Sequence, residues 1–313
     1  MKVLEPEWVV LSGGVSRERD VSLVSGRSVY EQLICSHPTR LEVLDAAALP
    51  EGLDPEQQIL VPMMHGQFGE DGQLQALLEA GGFTYVGCDA PSSQLCMDKV
   101  ASKRAAASAG VPVLPEATGN SAGFVGLDAV LVGHHEWVVK PVAEGSSVGL
   151  FMVSGKEGLL ERIEQLTEGQ WMVEPRLRGH DLTVGVLNGQ AMGVVEIFPD
   201  GGVYDYAHKY QPGSTQYRYP AEISSDLTQS LQQWAEAVFA ACGCRDFARV
   251  DFFLESTGNP FFLEINTLPG MTPTSLFPKS AQVYGYDFAA LVEAMIEPAL
   301  ARWKTRQLRP QMP

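Results

Sequence analysis

The chain has 313 residues, 45% of them hydrophobic, with a mean hydropathy of −0.02 and a formal net charge of −16. It is long enough for two or three buried cores and reads as a soluble globular protein, and its acidic balance excludes an electrostatic footprint for nucleic acid or an anionic membrane. The N-terminus shows no signal-peptide apolar core, no apolar run is long enough to cross a bilayer, and the five cysteines (Cys35, Cys88, Cys96, Cys242, Cys244) lack metal-site spacing; these features predict a cytoplasmic protein with reduced thiols.

Trp8-Val-Val-Leu11 reads as a short buried strand running into Ser12-Gly13-Gly14-Val15-Ser16. A helix is predicted from Glu18 to Ile34, with Ser16 as its N-cap. A second strand at Ile59–Met64 ends at His65-Gly66, and a helix from Gly72 to Ala80 and a strand at Phe83–Gly87 close an α/β unit. The next unit opens with an alanine-rich helix from Asp98-Lys99 to Gly110. Its strands at Trp137–Pro141, Leu150–Val153 and Gln170–Glu174, with a helix over 158–167, have short turns that predict antiparallel pairing. From Asp181 two strands meet at Asn188-Gly189, a two-residue hairpin signal. Residues 201–219 form a polar loop rich in Tyr and Gly, long enough to suggest a function. A helix from Leu227 to Cys242, a hairpin from Arg249 to Asn266 and an amphipathic helix from Asp287 to Lys304 follow. The expected units are 1–90, 91–180 and 181–313.

The hairpin carries the sharpest chemical signal. Side chains alternate along a strand, so Arg249 and Asp251 share a face, as do Glu264 and Asn266. Folding at the Ser-Thr-Gly-Asn-Pro turn brings Asp251 opposite Glu264 and Arg249 opposite Asn266. Facing carboxylates repel unless a cation compensates. Two acids and an amide oxygen on one rigid face suit Mg²⁺, and hence phosphate chemistry; the plain reading is a solvated outer face. The segment Lys140-Pro-Val-Ala-Glu144-Gly145-Ser146-Ser147-Val148-Gly149 delivers a lysine and then a small-residue loop whose N–H and hydroxyl groups could cradle phosphate; read alone, it is equally a hairpin turn. Lys99 and Lys103 share a helical face, and Lys103 is read as solvated surface. His65-Gly-Gln-Phe-Gly-Glu70-Asp71-Gly72 predicts a tight loop with His65 facing a ligand and with Glu70 and Asp71 favouring a helix N-terminus.

Taken together, the segments resemble the D-alanine–D-alanine ligase family of the ATP-grasp superfamily over essentially the whole chain. The resemblance is carried in order by Gly13-Gly14-Val-Ser16-Arg-Glu18, His65-Gly-Gln-Phe-Gly-Glu-Asp-Gly, Met97-Asp98-Lys99, Lys140-Pro through Gly149, Tyr204-Asp-Tyr with Lys209-Tyr210, Arg249-Val-Asp251, and Leu263-Glu264-Ile-Asn266 through Gly270 to Ser275-Leu276. It implies an α/β, three-domain ATP-grasp fold with an N-terminal Rossmann-like domain. It also implies ATP as substrate, Mg²⁺ or Mn²⁺ as metal with two ions, two D-alanines joined through an acyl phosphate for peptidoglycan, a homodimer, and no nucleic-acid or membrane partner.

The same resemblance implies the residue roles. Lys99 and Lys140 would balance phosphates, and Glu144, Ser146 and Ser147 would belong to the loop that covers them. Glu174, Leu177, Asp181, Lys209 and Leu263 would complete the ATP site. Asp251, Glu264 and Asn266 would hold the metal, and Arg249 with the Gly270 N–H would meet an oxyanion. Glu18, Val21 and His65 would take the first D-alanine, and Ser275 and Leu276 the second. Tyr210 would hydrogen-bond Ser146 and Glu18 and favour an amine acceptor over the hydroxyl of D-lactate. Asp181 stands where the family usually has Glu, Pro175 where Lys is commoner, Val203 where an aromatic is frequent, and His208 where Ala is usual; these departures predict weakened ATP affinity. The alternatives are a D-alanine–D-lactate or other D-amino-acid ligase, a non-catalytic nucleotide-binding protein, which the clustered acids oppose, and a dinucleotide oxidoreductase, which the missing third glycine opposes.

Overall fold

The structure, a computed structural model, describes residues 5–145, 148–199 and 215–308. Strand β1 (Glu7–Gly13) is buried from Trp8 onward on both faces, as a strand inside a parallel sheet must be. It pairs in parallel with β2 (Thr39–Leu44) and β3 (Gln58–Pro62), and β3 with β4 (Thr84–Tyr85), giving the order β2-β1-β3-β4. Helices α1 (Arg19–Leu33) and α2 (Gln73–Ala80) make crossovers. The N-cap of α1 is Glu18 rather than the predicted Ser16. Ser16 Oγ accepts the Glu18 N–H at 3.1 Å and donates to the His65 carbonyl at 2.6 Å, so this serine staples the turn after β1 to the turn after β3.

Helices α3 (Ala90–Met97) and α4 (Lys99–Ser108) lead to the second sheet. Asp89 and Asp98 cap them, each carboxylate accepting first-turn N–H groups. The second sheet contains β5 (Ala117–Asn120), β6 (Gly123–Val125), β7 (Glu136–Pro141), β8 (Phe151–Ser154) and β9 (Trp171–Pro175) in the order β6-β5-β9-β7-β8. It is antiparallel, as its short turns predict. Helices α5 (Leu127–Leu131) and α6 (Lys156–Glu164) pack on it.

The third sheet holds β10 (Gly179–Leu187), β11 (Gln190–Pro199), β12 (Thr215–Arg218), β13 (Phe247–Glu255) and β14 (Pro260–Asn266), antiparallel in the order β12-β11-β10-β13-β14. The end of the segment read as a loop over 201–219 is therefore strand β12. Helix α7 (Ser225–Ala241) covers this sheet through Leu231, Ala235 and Val238. Helix α8 (Leu276–Tyr284) was not foreseen, and α9 (Phe288–Gln307) closes the chain. We propose one unit per sheet, bounded as the sequence suggests.

Helix α9 crosses those bounds. Leu291, Met295, Ile296 and Trp303 of α9 pack against Trp8, Val10, Ile59 and Val61 of the first sheet. Buried Asp246 fixes the join: its carboxylate accepts the Gly87 N–H at 2.8 Å and a two-pronged contact from Arg302 at 2.6 Å on each oxygen. All five cysteines are unbridged, yet the fold brings two of them, which the sequence left unpatterned, into contact, with Cys96 Sγ 3.6 Å from Cys244 Sγ.

Candidate active site

The β13–β14 ribbon has the register its alternation predicts: Arg249 opposes Asn266 and Asp251 opposes Glu264, with an irregularity just after Asp251. Each acid has a cation of its own. Arg249 Nε and Nη2 donate to the two Asp251 oxygens at 2.9 and 2.7 Å, and Lys99 Nζ lies 3.4 Å from Glu264. Thr183 of β10, paired with Asp251 in register, donates its hydroxyl to Asp251 Oδ1 at 2.5 Å. Sequence reading missed Thr183, although β-alternation on the neighbouring strand puts it on that face. Asn266 Oδ1 accepts the Leu268 N–H at 2.9 Å, which fixes its amide. Two carboxylates and an amide oxygen make a hard donor set that fits a magnesium-sized cation. Among the described residues no group of three or more His, Cys, Asp or Glu assembles as a metal cluster, so such an ion would complete its shell with substrate oxygens and water.

A cavity of about 490 Å³ lies between the second and third sheets. Lys140, Glu174, Leu177, Asp181 and Leu263 line it, so residues far apart in the chain share one cleft. Arg176 and Arg178 also line it, placing cations beside Pro175, where the sequence suggests that one is lost. Beneath the cleft lies a buried charge chain. Glu174 meets Lys140 Nζ at 2.5 Å and also pairs with Lys103, which reaches Glu116 at 2.5 Å and the Leu114 carbonyl at 2.9 Å. Lys103 is only 2% exposed, which overturns its reading as solvated surface: helical spacing shows which residues share a face, not which face is buried. Burial alone would raise the Glu174 carboxyl, but Lys140 and Lys103 outweigh it and hold it down to about 2. Lys140 goes the other way, since Glu174 outweighs the desolvation that would lower it.

A second cavity, of about 730 Å³, lies between the first sheet and the third. Glu18 and Val21 of the α1 N-terminus, His65 after β3, and Gly270, Ser275 and Leu276 at the start of α8 all face it. His65 is 4% exposed; its Nδ1 lies 2.8 Å from the Leu268 carbonyl, which can only accept, so Nδ1 carries the proton and Nε2 accepts from Ser25 Oγ at 2.9 Å. Glu70, read from sequence as a helix-dipole residue, instead faces this cavity 3.4 Å from His65, and burial raises its carboxyl. Asp71 does serve the turn, accepting the Phe68 and Gln73 amides at 2.9 and 3.0 Å. Ser275 Oγ bonds Thr272 rather than capping α8.

The cavities meet at Lys99, Glu144 and Glu264, which line both. Lys99 Nζ also donates to the Glu144 carbonyl at 2.5 Å, tying the start of the Gly/Ser loop to the metal-candidate ribbon. Ser146, Ser147, Lys209 and Tyr210, with Val203 and His208, lie outside the described residues.

Comparison with known proteins matches residues 132–297 to the family described as D-ala D-ala ligase C-terminus. The D-alanine--D-alanine ligase of Methylacidiphilum infernorum is 38% identical, over 94% of this chain and 96% of that protein. The ligase of the same name from Agrobacterium fabrum is 40% identical, over 93% and 96%. Among solved structures, D-alanine--D-alanine ligase from Bacillus anthracis superposes with a TM-score of 0.81 at 29% identity, covering 96% of this chain and 99% of that one. The VanG D-Ala:D-Ser ligase from Enterococcus faecalis gives 0.79 at 26% identity, covering 94% and 99%.

Proposed function

The chain belongs to the D-alanine–D-alanine ligase family, and on that footing we propose that it joins two D-alanines at the expense of ATP, giving D-alanyl-D-alanine, ADP and phosphate for peptidoglycan. The carrying observation is that two cavities, one lined by buried lysines and one by groups suited to amino acids, meet at Lys99, Glu144 and Glu264. A phosphoryl group passing from one ligand to the other has to cross that junction.

In this reading the nucleotide occupies the cleft of Lys140, Glu174, Leu177, Asp181 and Leu263, and Lys99 and Lys140 balance its phosphates. The first D-alanine sets its ammonium against Glu18 with Val21 alongside, and its carboxylate lies near His65. A carboxylate oxygen takes the γ-phosphoryl group, ADP is released from that phosphorus, and a D-alanyl phosphate results. The second D-alanine, seated by Ser275 and Leu276, attacks the acyl carbon with its amine. Arg249 and the Gly270 N–H stabilise the oxyanion, and phosphate leaves as the amine gives up its proton; donors of this kind are worth roughly 3–4 kcal/mol each. Asp251, Glu264 and Asn266 would hold Mg²⁺ or Mn²⁺, two ions in the family pattern, which when bound neutralises charge on the phosphate oxygens. The loop that begins at Glu144 keeps water from the acyl phosphate.

The same proposal makes the protein a cytoplasmic homodimer; the unbridged cysteines agree with a reducing compartment. Among the described residues no helix is long and apolar enough to cross a membrane. The test is product identification by mass spectrometry with ATP, Mg²⁺ and a panel of D-alanine, D-serine and D-lactate. Dipeptide from D-alanine alone is expected to dominate; ester dominating at neutral pH, or no product, overturns the reading.

A further inference from the structure

Among the described residues, Lys279 is a buried cation with no acid to match it. It lies on α8, one turn after Ser275, and lines the 730 Å³ cavity together with Ser275, Leu276, Thr215 and Tyr217. Only 6% of the residue is exposed. Its contacts among the described residues are two ring faces, with Nζ 4.6 Å from the centre of Tyr217 and 5.8 Å from that of Tyr219. Ring faces attract a cation but accept none of the three N–H bonds of an ammonium group as a carboxylate does. Lys99, Lys103 and Lys140, by contrast, each meet a carboxylate. Burial pushes the Lys279 ammonium down to about 8, with nothing opposing it.

The surroundings say what kind of ligand would complete it. Side chains in a helix lean toward the N-terminus, so a lysine in the second turn of α8 reaches back toward Ser275. The first N–H groups of α8 have no intrahelical acceptor, Ser275 Oγ is turned to Thr272 instead of capping them, and Pro278 supplies none. A helix N-terminus with uncapped amides and, one turn on, an ammonium with no acid partner among the described residues thus line the same cavity. Such a set favours an anion small enough to share the space with Ser275 and Leu276.

We propose that Lys279 recognises the carboxylate of the acceptor amino acid, making an anionic end a requirement for that substrate. This rests on the ligase reading above and extends its acceptor subsite beyond Ser275 and Leu276. A neutral acceptor leaves the ammonium buried and unmatched, so discrimination comes from the protein's cost as well as from the lost bond.

The experiment lets D-alanine and D-alaninamide compete as acceptors for D-alanyl phosphate formed from D-alanine and ATP, and reads the ratio of D-alanyl-D-alanine to its amide by mass spectrometry. Wild type is expected to favour the dipeptide strongly. Lys279→Met and Lys279→Gln are expected to shrink that preference by about tenfold or more, with the Michaelis constant for ATP unchanged, and Lys279→Arg to retain it. The differing basicity of the two amines cancels between wild type and variant. Active neutral variants that keep the wild-type ratio overturn the proposal and leave Lys279 a strut over Tyr217. If neither neutral variant binds ATP, the wild-type ratio alone decides: ready use of D-alaninamide overturns the proposal, and its exclusion together with retention by Lys279→Arg supports it. A wild type that makes neither product is a failure of the ligase reading instead.

Discussion

Asp251 and Glu264 illustrate how a site can be charged in advance. Two carboxylates opposite each other on a strand pair would repel, and the protein answers with Arg249 and Thr183 on one and Lys99 on the other. Removing either acid breaks its ion pair and takes away a metal donor. Asp251→Asn and Glu264→Gln are expected to lower turnover by roughly 100-fold and to shift the Mg²⁺ titration to higher concentration. Near-normal rates at low Mg²⁺ would refute the assignment. Glu174 poses the converse case, an acid placed among lysines. Its carboxyl is held at about 2 against an ordinary 4.5, so its pairing stabilises the fold fully above pH 4.5 and is lost as pH falls from there through 2. Urea midpoints measured between pH 2 and 5 should fall less steeply in Glu174→Gln than in wild type; parallel slopes would show that the pairing contributes nothing. Lys103→Met, which leaves Glu174 to Lys140 alone and takes the cation from half-buried Glu116, is expected to cost about 1–3 kcal/mol in the same denaturation assay.

At the scale of elements, turns decide which side chains meet. Gly66, just after β3, has φ +77, and a Cβ there would lie 2.6 Å from Glu18 Oε2 and 3.0 Å from Ser16. Gly66→Ala should therefore destabilise the protein by more than about 1 kcal/mol and raise the Michaelis constant for the first D-alanine, since the new methyl group displaces the Glu18 carboxylate proposed to bind it. Unchanged kinetics for that substrate would separate Glu18 from it. The β13–β14 hairpin was legible because alternation with a Gly/Asn/Pro turn leaves one register that buries the apolar side. Helix α8 was not legible, since Pro278 in its first turn reads as a helix breaker and its approach through Pro269-Gly270 reads as loop. Strand β2 was missed because its side chains are mostly half-buried and show no clean period. Glu70 was misread because an acid at a helix start is usually explained by the dipole alone, and only the tertiary fold turns it toward His65.

At the scale of the molecule, three sheets, each with its own helices, enclose the two cavities that meet at Lys99, Glu144 and Glu264, and the ATP-grasp fold sets its antiparallel second and third sheets facing across the proposed nucleotide cleft. Order along the chain was readable because each unit has its own period; the packing of one unit on another was not, because it depends on which apolar faces remain after each sheet has chosen its helices. Helix α9 shows the point. It spends Leu291, Val292, Met295, Ile296 and Trp303 on a core that begins with Trp8. Fully burying such a side chain is worth about 1.5–3 kcal/mol, and the set together rivals the ~5–15 kcal/mol that keeps a domain folded. A chain ending before residue 288 should lose cooperative unfolding of the first unit and bind a hydrophobic dye; a sharp transition like that of wild type would contradict this.

The order of synthesis then runs opposite to the order of completion. Strands β1 and β3 are made well before α9, and Val29 and Leu33 of α1 cover their shared apolar face only in part, so this sheet waits for a much later helix, and a nascent chain stalled in between presents Trp8, Ile59 and their neighbours to whatever chaperone is at hand.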